Sequence, residues 1–201
     1  MPTSRSVRAA LVALLALAQG SAAGAQAAPP PAPRPTYTAA DVRFMTGMIY
    51  HHAQAVLIAG WAPTHGASPS VLTLGDRIVV AQQDEIAYMQ RWLRERGQPV
   101  PDLAAAHDMM PGMEPGTMMP GMLSASQLAT LDAARGTAFD ELFLTGMIHH
   151  HNGAITMVNQ LFGAGAGEDE TMYKYASDVY ADQTTEIVRM QKMLASMLFG
   201  S

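Results

Sequence analysis

Residues 44–52 read FMTGMIYHH, and residues 143–151 read FLTGMIHHH. The chain has 7 histidines in 201 residues, and most of them fall in these two stretches. A second matched pair follows: QQDEIAYMQRWL at 82–93 and QTTEIVRMQKML at 183–194 share their Gln, Glu-Ile, Met-Gln and Leu positions. Two motifs repeated in the same order indicate an internal duplication. The repeating unit is too long for a solenoid, so the chain reads as two related halves.

Each half spells two helices. Thr38 is suited to cap the first, with Asp41 placing negative charge in its first turn, and Pro63 and Gly66 end it beyond Trp61. The second starts near Ser68 or Ser70 and reaches Arg96, with Gly97 as its cap and Pro99 as its stop. A third is expected to run unbroken from Ser124 or Ser126 to Phe162, and a fourth from about Asp169 to Phe199. No stretch alternates with the strand period. The expected fold is all-α: an antiparallel, ferritin-like four-helix bundle spanning 38–201, built from two repeated helical hairpins. The hairpins are 38–97 and 124–199, and a methionine-rich loop, 98–123, joins them.

The first 28 residues are not expected to belong to that fold. Arg5 and Arg8 precede the apolar run AALVALLALA, and Ala-x-Ala sites ending at Ala25 and Ala27 follow. This is the pattern of a cleaved secretory signal peptide, with an apolar run too short to span a bilayer. PPPAPRP at 29–35 then reads as the body of a stiff linker, 29–37. The chain has no cysteine, which suits an oxidising compartment, so a periplasmic or secreted location is expected. The formal charge is −5, with no basic run, which argues against nucleic acid or an anionic membrane as partner.

The chemistry lies on the repeated faces. At about 100° per residue, Met48 and His52 share one side of their helix, with His51 at its edge. Met147, His151 and His150 repeat that arrangement, while His149 points outward. Met157 returns to the same edge, so the third helix offers sulfur on both sides of its histidine pair, where the first helix has Ile58. The richer donor set is therefore expected in the second half. Gly47 and Gly146 each cost a helix about 1 kcal/mol relative to Ala, which is reasonable if another group must approach closely there. On the partner helices, Gln82, Glu85 and Met89 form one stripe, and Gln183, Glu186 and Met190 form its copy. Inward Gln and Glu need partners, and the neighbouring histidines supply them. Each half thus gathers imidazole, thioether and carboxylate, a set suited to copper.

HDMMPGMEPGTMMPGM at 107–122 adds His107, Met109, Met110, Met113, Met118, Met119 and Met122. Methionine is usually core filler, but the frequent Pro and Gly deny this stretch a packed helical face. It reads as an exposed loop whose thioethers suit a soft metal such as Cu(I).

The pattern F-x-x-x-M-I-x-H-H-x-x-A, followed by Q-x-x-E-I-x-x-M, resembles the domain-of-unknown-function family 305. GMLSASQLATLDAARGTAFDELFLTGMIHHHNGAITM at 121–157 is similar to that family's usual wording. The resemblance implies a ferritin-like bundle and an exported copper-binding protein using Met and His. It implies Met48, His51 and His52 as ligands in the first half, and Met147, His150, His151 and Met157 in the second. Where the family commonly carries a Met six residues after the second His, the first half has Ile58.

The expected ligand is copper, as Cu(I), and the expected role is to sequester or deliver it. A copper-transport or copper-oxidase protein is the matching class of partner. One rival is a ferritin-like redox enzyme, which needs E-x-x-H motifs that this sequence lacks. The other is a structural or partner-binding bundle without metal. For the export signal, the mass of the secreted chain is the check: its first residue should follow Ala25 or Ala27, and a retained N-terminus would contradict it.

Overall fold

Thr38 and Asp41 begin the first helix by satisfying each other's backbone. In the computed structural model, which describes residues 37–103 and 119–200, the Thr38 N–H donates to Asp41 Oδ2 at 2.7 Å. The Asp41 N–H donates to Thr38 Oγ1 at 3.3 Å, completing a capping box. Residues 1–36, together with His107, Met109, Met110, Met113 and Met118, lie outside the described residues.

Helix α1 (Ala39–Gly60) ends in a short 3-10 turn, Ala62–Thr64. Ser68 caps α2 (Pro69–Glu95), and Gly97, at φ 63°, follows its end. Ser124 and Gln127 form a second capping box on α3 (Ala125–Ala133). Helix α4 (Thr137–Gly163) and helix α5 (Glu170–Phe199), capped by Asp169, complete the chain. Among the described residues there is no strand, and none of the helices is long and apolar enough to cross a membrane.

The expected third helix is two helices. It breaks at 134–136, where Ala134 turns extended and Gly136 takes φ 59°. The Gly136 N–H there leaves the helical ladder and donates to His65 O at 2.8 Å. His65 Nε2 also donates toward Asp132 O, at 2.9 Å. A glycine adopts that backbone without a side-chain clash, so the break is cheap and the loop after α1 uses it as an anchor.

Helix α1 packs along α2, α4 packs along α5, and α1 crosses α4. Two carboxylates tie the hairpins together in equivalent ways. Asp41 Oδ1 accepts the Gly167 N–H at 2.8 Å, reaching from α1 to the loop before α5. Asp140 accepts the Ser68 N–H at 3.1 and 3.2 Å, reaching from α4 to the loop before α2. Asp140 occupies the place in the second half that Asp41 occupies in the first, and each reaches the loop just before the other half's second helix, at Gly167 and at Ser68. Each half thus holds the other's connection.

The apolar core forms two clusters. One contains Phe44, Met48, Met89, Trp92, Met157 and Met172. The other contains Ile58, Leu74, Leu123, Phe143, Met147 and Met190. Between these sets along the helices lie buried polar side chains: His51, His52, Gln54, Gln82, His150, His151 and Gln183. The bundle is therefore apolar at both ends and polar at its middle.

Residues 119–123 form a strap against this polar belt. A Cβ added to Gly153 would sit 2.0 Å from Pro120 O and 2.5 Å from Gly121 Cα, so the strap's backbone lies directly on α4. On α1, the Gln54 side chain receives the Leu123 N–H at 2.8 Å and donates to Leu123 O at 3.0 Å. The expectation of an unpacked loop fails here, because Met122 is buried and Met119 is half-buried. Backbone that can be bonded and packed at both edges need not stay in water.

Gly153→Ala should therefore cost about 1–3 kcal/mol of stability, even though alanine is the better helix former. Gly163→Ala, whose Cβ would meet nothing within 4 Å, should stay within about 0.5 kcal/mol of the parent. Urea unfolding of the two variants side by side checks this, and equal stability would mean the strap does not rest on Gly153.

Candidate metal centre

The repeated motif places two histidines at the middle of α1 and two at the middle of α4, and all four are fully buried. His51 and His150 face each other across the α1–α4 crossing, with ring centroids 3.8 Å apart and planes inclined by 37°. His52 and His151 turn the other way, each toward its own hairpin partner. His52 Nε2 lies 2.6 Å from Glu85 Oε2, and His151 Nε2 lies 2.7 Å from Glu186 Oε2. The first approach is short but misses hydrogen-bond alignment, whereas the second is aligned.

His51 is anchored by the strap. Its Nε2 lies 3.0 Å from Pro120 O, and because a carbonyl only accepts, Nε2 carries the proton and donates. The Nδ1 of neutral His51 is then a bare lone pair, buried and without a partner. His52 and His151 share the arrangement: Nε2 is directed at a carboxylate and Nδ1 has no hydrogen-bond partner. An imidazole whose far nitrogen is held by a carbonyl or carboxylate, with its near nitrogen free, is prepared to ligate a metal. Neither ring nitrogen of His150 makes an aligned hydrogen bond, although the His51 carbonyl lies near enough to favour its protonated form slightly.

Burial keeps the central pair neutral. It lowers the His51 pKa from 6.5 to about 3, helped by the adjacent His52 and opposed by the bond to Pro120 O. Burial likewise holds His150 well below 6.5, with His51 and His151 adding to the effect. A neutral ring keeps the lone pair that a metal needs.

The other expected residues sort by bundle end, not by half. Met48, Met89 and Met157 belong to one apolar cluster, and half-buried Met119 packs against it. Met147 and Met190 belong to the other, together with Ile58. Met157 therefore joins the first-half methionines across the α1–α4 crossing. The expected second-half surplus of sulfur becomes a surplus at one end of the bundle. Gln82 and Gln183 are buried as expected, yet both Gln82 side-chain atoms and Gln183 Oε1 lack partners. Among the described residues, no three His, Asp or Glu side chains converge as a metal-binding group. A metal held at one point here needs thioether donors beside imidazole, which favours a soft ion.

Sequence reasoning missed the His51–His150 stack, Gln54 and the Pro120–Gly153 crossing. The repeat carried a signal for the last two. Gln54 and Gly153 occupy the same place after their histidine pairs, and a polar clamp opposite a bare backbone marks a segment lying across both.

An α-helical bundle, belted with histidine between two methionine-containing ends, defines the class. The chain belongs to the family described as Domain of unknown function (DUF305), whose profile matches residues 41–194. It is similar to a DUF305 fragment from Deinococcus radiodurans, at 26% identity and a TM-score of 0.68, covering 80% of this chain and 99% of that one. CopM in its Cu(II)-bound form is similar at 29% identity and a TM-score of 0.63, covering 78% and 96%. Its Cu(I)-bound form matches at 26% identity and a TM-score of 0.60, covering 79% and 97%. An uncharacterised protein of Acanthamoeba polyphaga mimivirus is 34% identical over 56 residues, 28% of this chain, and the match spans 37% of that relative's length.

The buried neutral histidines set a direction for acid stability. His51 has a folded pKa of about 3, below its ordinary 6.5, so between those values the unfolded chain binds more protons. Stability is complete above pH 6.5 and falls as pH drops toward 3, by about 1.4 kcal/mol per pH unit for each such group. Metal-free protein unfolded in urea across this range should lose stability more steeply than His51→Leu does. Parallel slopes would mean His51 is not held neutral.

Proposed function

We propose that this protein is an exported copper-binding protein that sequesters or delivers the metal, holding it as Cu(I) on methionine and histidine. The observation that carries the reading is the set of buried imidazoles His51, His52 and His151. Each has Nε2 directed at a carbonyl or carboxylate and a bare Nδ1, and they lie between two methionine-containing ends. The similarity to CopM, solved with Cu(II) and with Cu(I), supports copper as the ion.

Copper is cargo in this reading, and the residues divide the work. Thioethers of Met48, Met89, Met147, Met157 and Met190 offer soft donors that no proton competes for near neutral pH. Imidazoles add nitrogen donors whose orientation the strap carbonyl, Glu85 and Glu186 set. Cu(I) is favoured over zinc because zinc seldom takes a thioether. Binding, not catalysis, is the proposed role, and a periplasmic or secreted location with a copper-transport or copper-oxidase partner completes it.

A Cu(I) competition titration and a zinc calorimetric titration on one preparation test the reading. Cu(I) should bind more tightly by at least two orders of magnitude. Equal or stronger zinc binding would overturn the soft-metal assignment, and binding of neither ion would leave the histidine–glutamate pairs a purely structural role.

A further inference from the structure

The two ends of the bundle differ in one slot. On α1, a Cβ at Gly47 would lie 3.3 Å from Met119 Sδ and 3.4 Å from Met157 Cε. Two methionine side chains, one from the strap and one from α4, thus meet over the bare backbone that immediately precedes Met48. On α4, Gly146 holds the equivalent place before Met147, and its Cβ would lie 3.2 Å from Leu123 Cδ2. The residue equivalent to Met157 at that end is Ile58. The same slot is therefore filled by two thioethers at one end and by a leucine at the other.

We propose that Met119 and Met157, meeting over Gly47 beside Met48, form a thioether site for a soft monovalent cation, and that this end of the bundle binds it more tightly than the other. The proposal rests on the copper reading above and assigns the donors and the asymmetry, which that reading leaves open.

The strap makes the site possible. Pro120 O bonds His51 Nε2, and the Leu123 backbone is held from both sides by Gln54, so Met119 is fixed at the start of a pinned segment. His51 lies one helical turn beyond Met48 and supplies an imidazole on the same side of α1. Met119 is half-buried while Met48 is fully buried, so the site has an outer and an inner sulfur. Thioethers prefer Cu(I) or Ag(I) to hard cations, which gives the ligand class. The other end keeps the buried thioethers Met147 and Met190 but offers no sulfur over its glycine.

Cu(I) titration of the mature chain against a competing chromophoric chelator, repeated with Ag(I), tests the proposal. Met119→Leu and Met157→Ile should each weaken the tightest event about tenfold or more, whereas Met147→Leu should change it less than threefold. Ile58→Met combined with Leu123→Met should install a second event of similar affinity. These swaps nearly conserve volume, and thermal unfolding of each variant checks that the bundle is intact. A parent that takes up no Cu(I) removes the copper reading, and the site with it. A parent that binds Cu(I) but is indifferent to Met119→Leu and Met157→Ile, or is weakened more by Met147→Leu, removes this site and leaves the copper reading standing.

Discussion

The bundle depends on one close approach, the backbone of Pro120 and Gly121 lying on α4 where Gly153 has no side chain. Two chain segments can come this near only if neither carries a Cβ toward the other, and here Gly121 and Gly153 meet. Gly121 also takes φ 77°, which an L side chain would resist. Once the strap is seated, its remaining contacts follow from its direction. Pro120 O reaches His51, Leu123 reaches Gln54 and Gly146, and Met119 reaches Gly47. A single missing methyl group thereby sets the tautomer of a buried histidine and the position of a sulfur atom.

The recurrence of both motifs accounts for why the rest agrees so well across the halves, and also for where it does not. Asp41 and Asp140 each hold an amide of the other half's loop, and Glu85 and Glu186 meet equivalent histidines. One strap cannot serve both halves identically. It must enter the bundle at one end and leave at the other, so it presents methionine to one glycine and leucine to its copy. The asymmetry in sulfur thus has a topological cause, since two equivalent grooves are crossed by a single non-repeating segment.

Much of this was legible in the sequence because helices report their own faces. Caps at Thr38, Ser68 and Asp169 follow from local chemistry, and the inward set Met48, His52, Glu85 and Gln82 follows from the helical period. The pairing of His52 with Glu85 was readable too, because an inward-facing carboxylate needs a partner and α2 is the neighbouring helix. What periodicity leaves out is which helix crosses which and at what height. The His51–His150 stack and the grouping of Met157 with Met48 depend on the α1–α4 crossing, a contact between residues far apart in the chain. The break at Gly136 was missed because a lone glycine in a helical pattern is usually tolerated, and its partner, His65 O, lies in another hairpin. The strap was misjudged because proline and glycine were taken to exclude packing, when they exclude only helical packing.

The belt's composition is hard to explain by stability alone. Four fully buried histidines and three buried glutamines at the middle of a helical bundle displace apolar side chains that would pack without needing partners. Several of their polar atoms have no hydrogen-bond partner: Nδ1 of all four histidines, both ends of Gln82, and Gln183 Oε1. Each such atom costs about 1–3 kcal/mol when stranded away from water. A fold that needed only a core would gain by replacing them with Leu or Met. The unpartnered atoms are also not random. On His51 and His151, whose Nε2 bonds a carbonyl or a carboxylate, they are the nitrogens a soft cation could use. His52, with Nε2 2.6 Å from Glu85 Oε2, follows the same plan without the aligned bond. An arrangement that satisfies one nitrogen and strands the other on two separate rings, His51 and His151, costs stability in the metal-free state, and a bound ion would recover that loss.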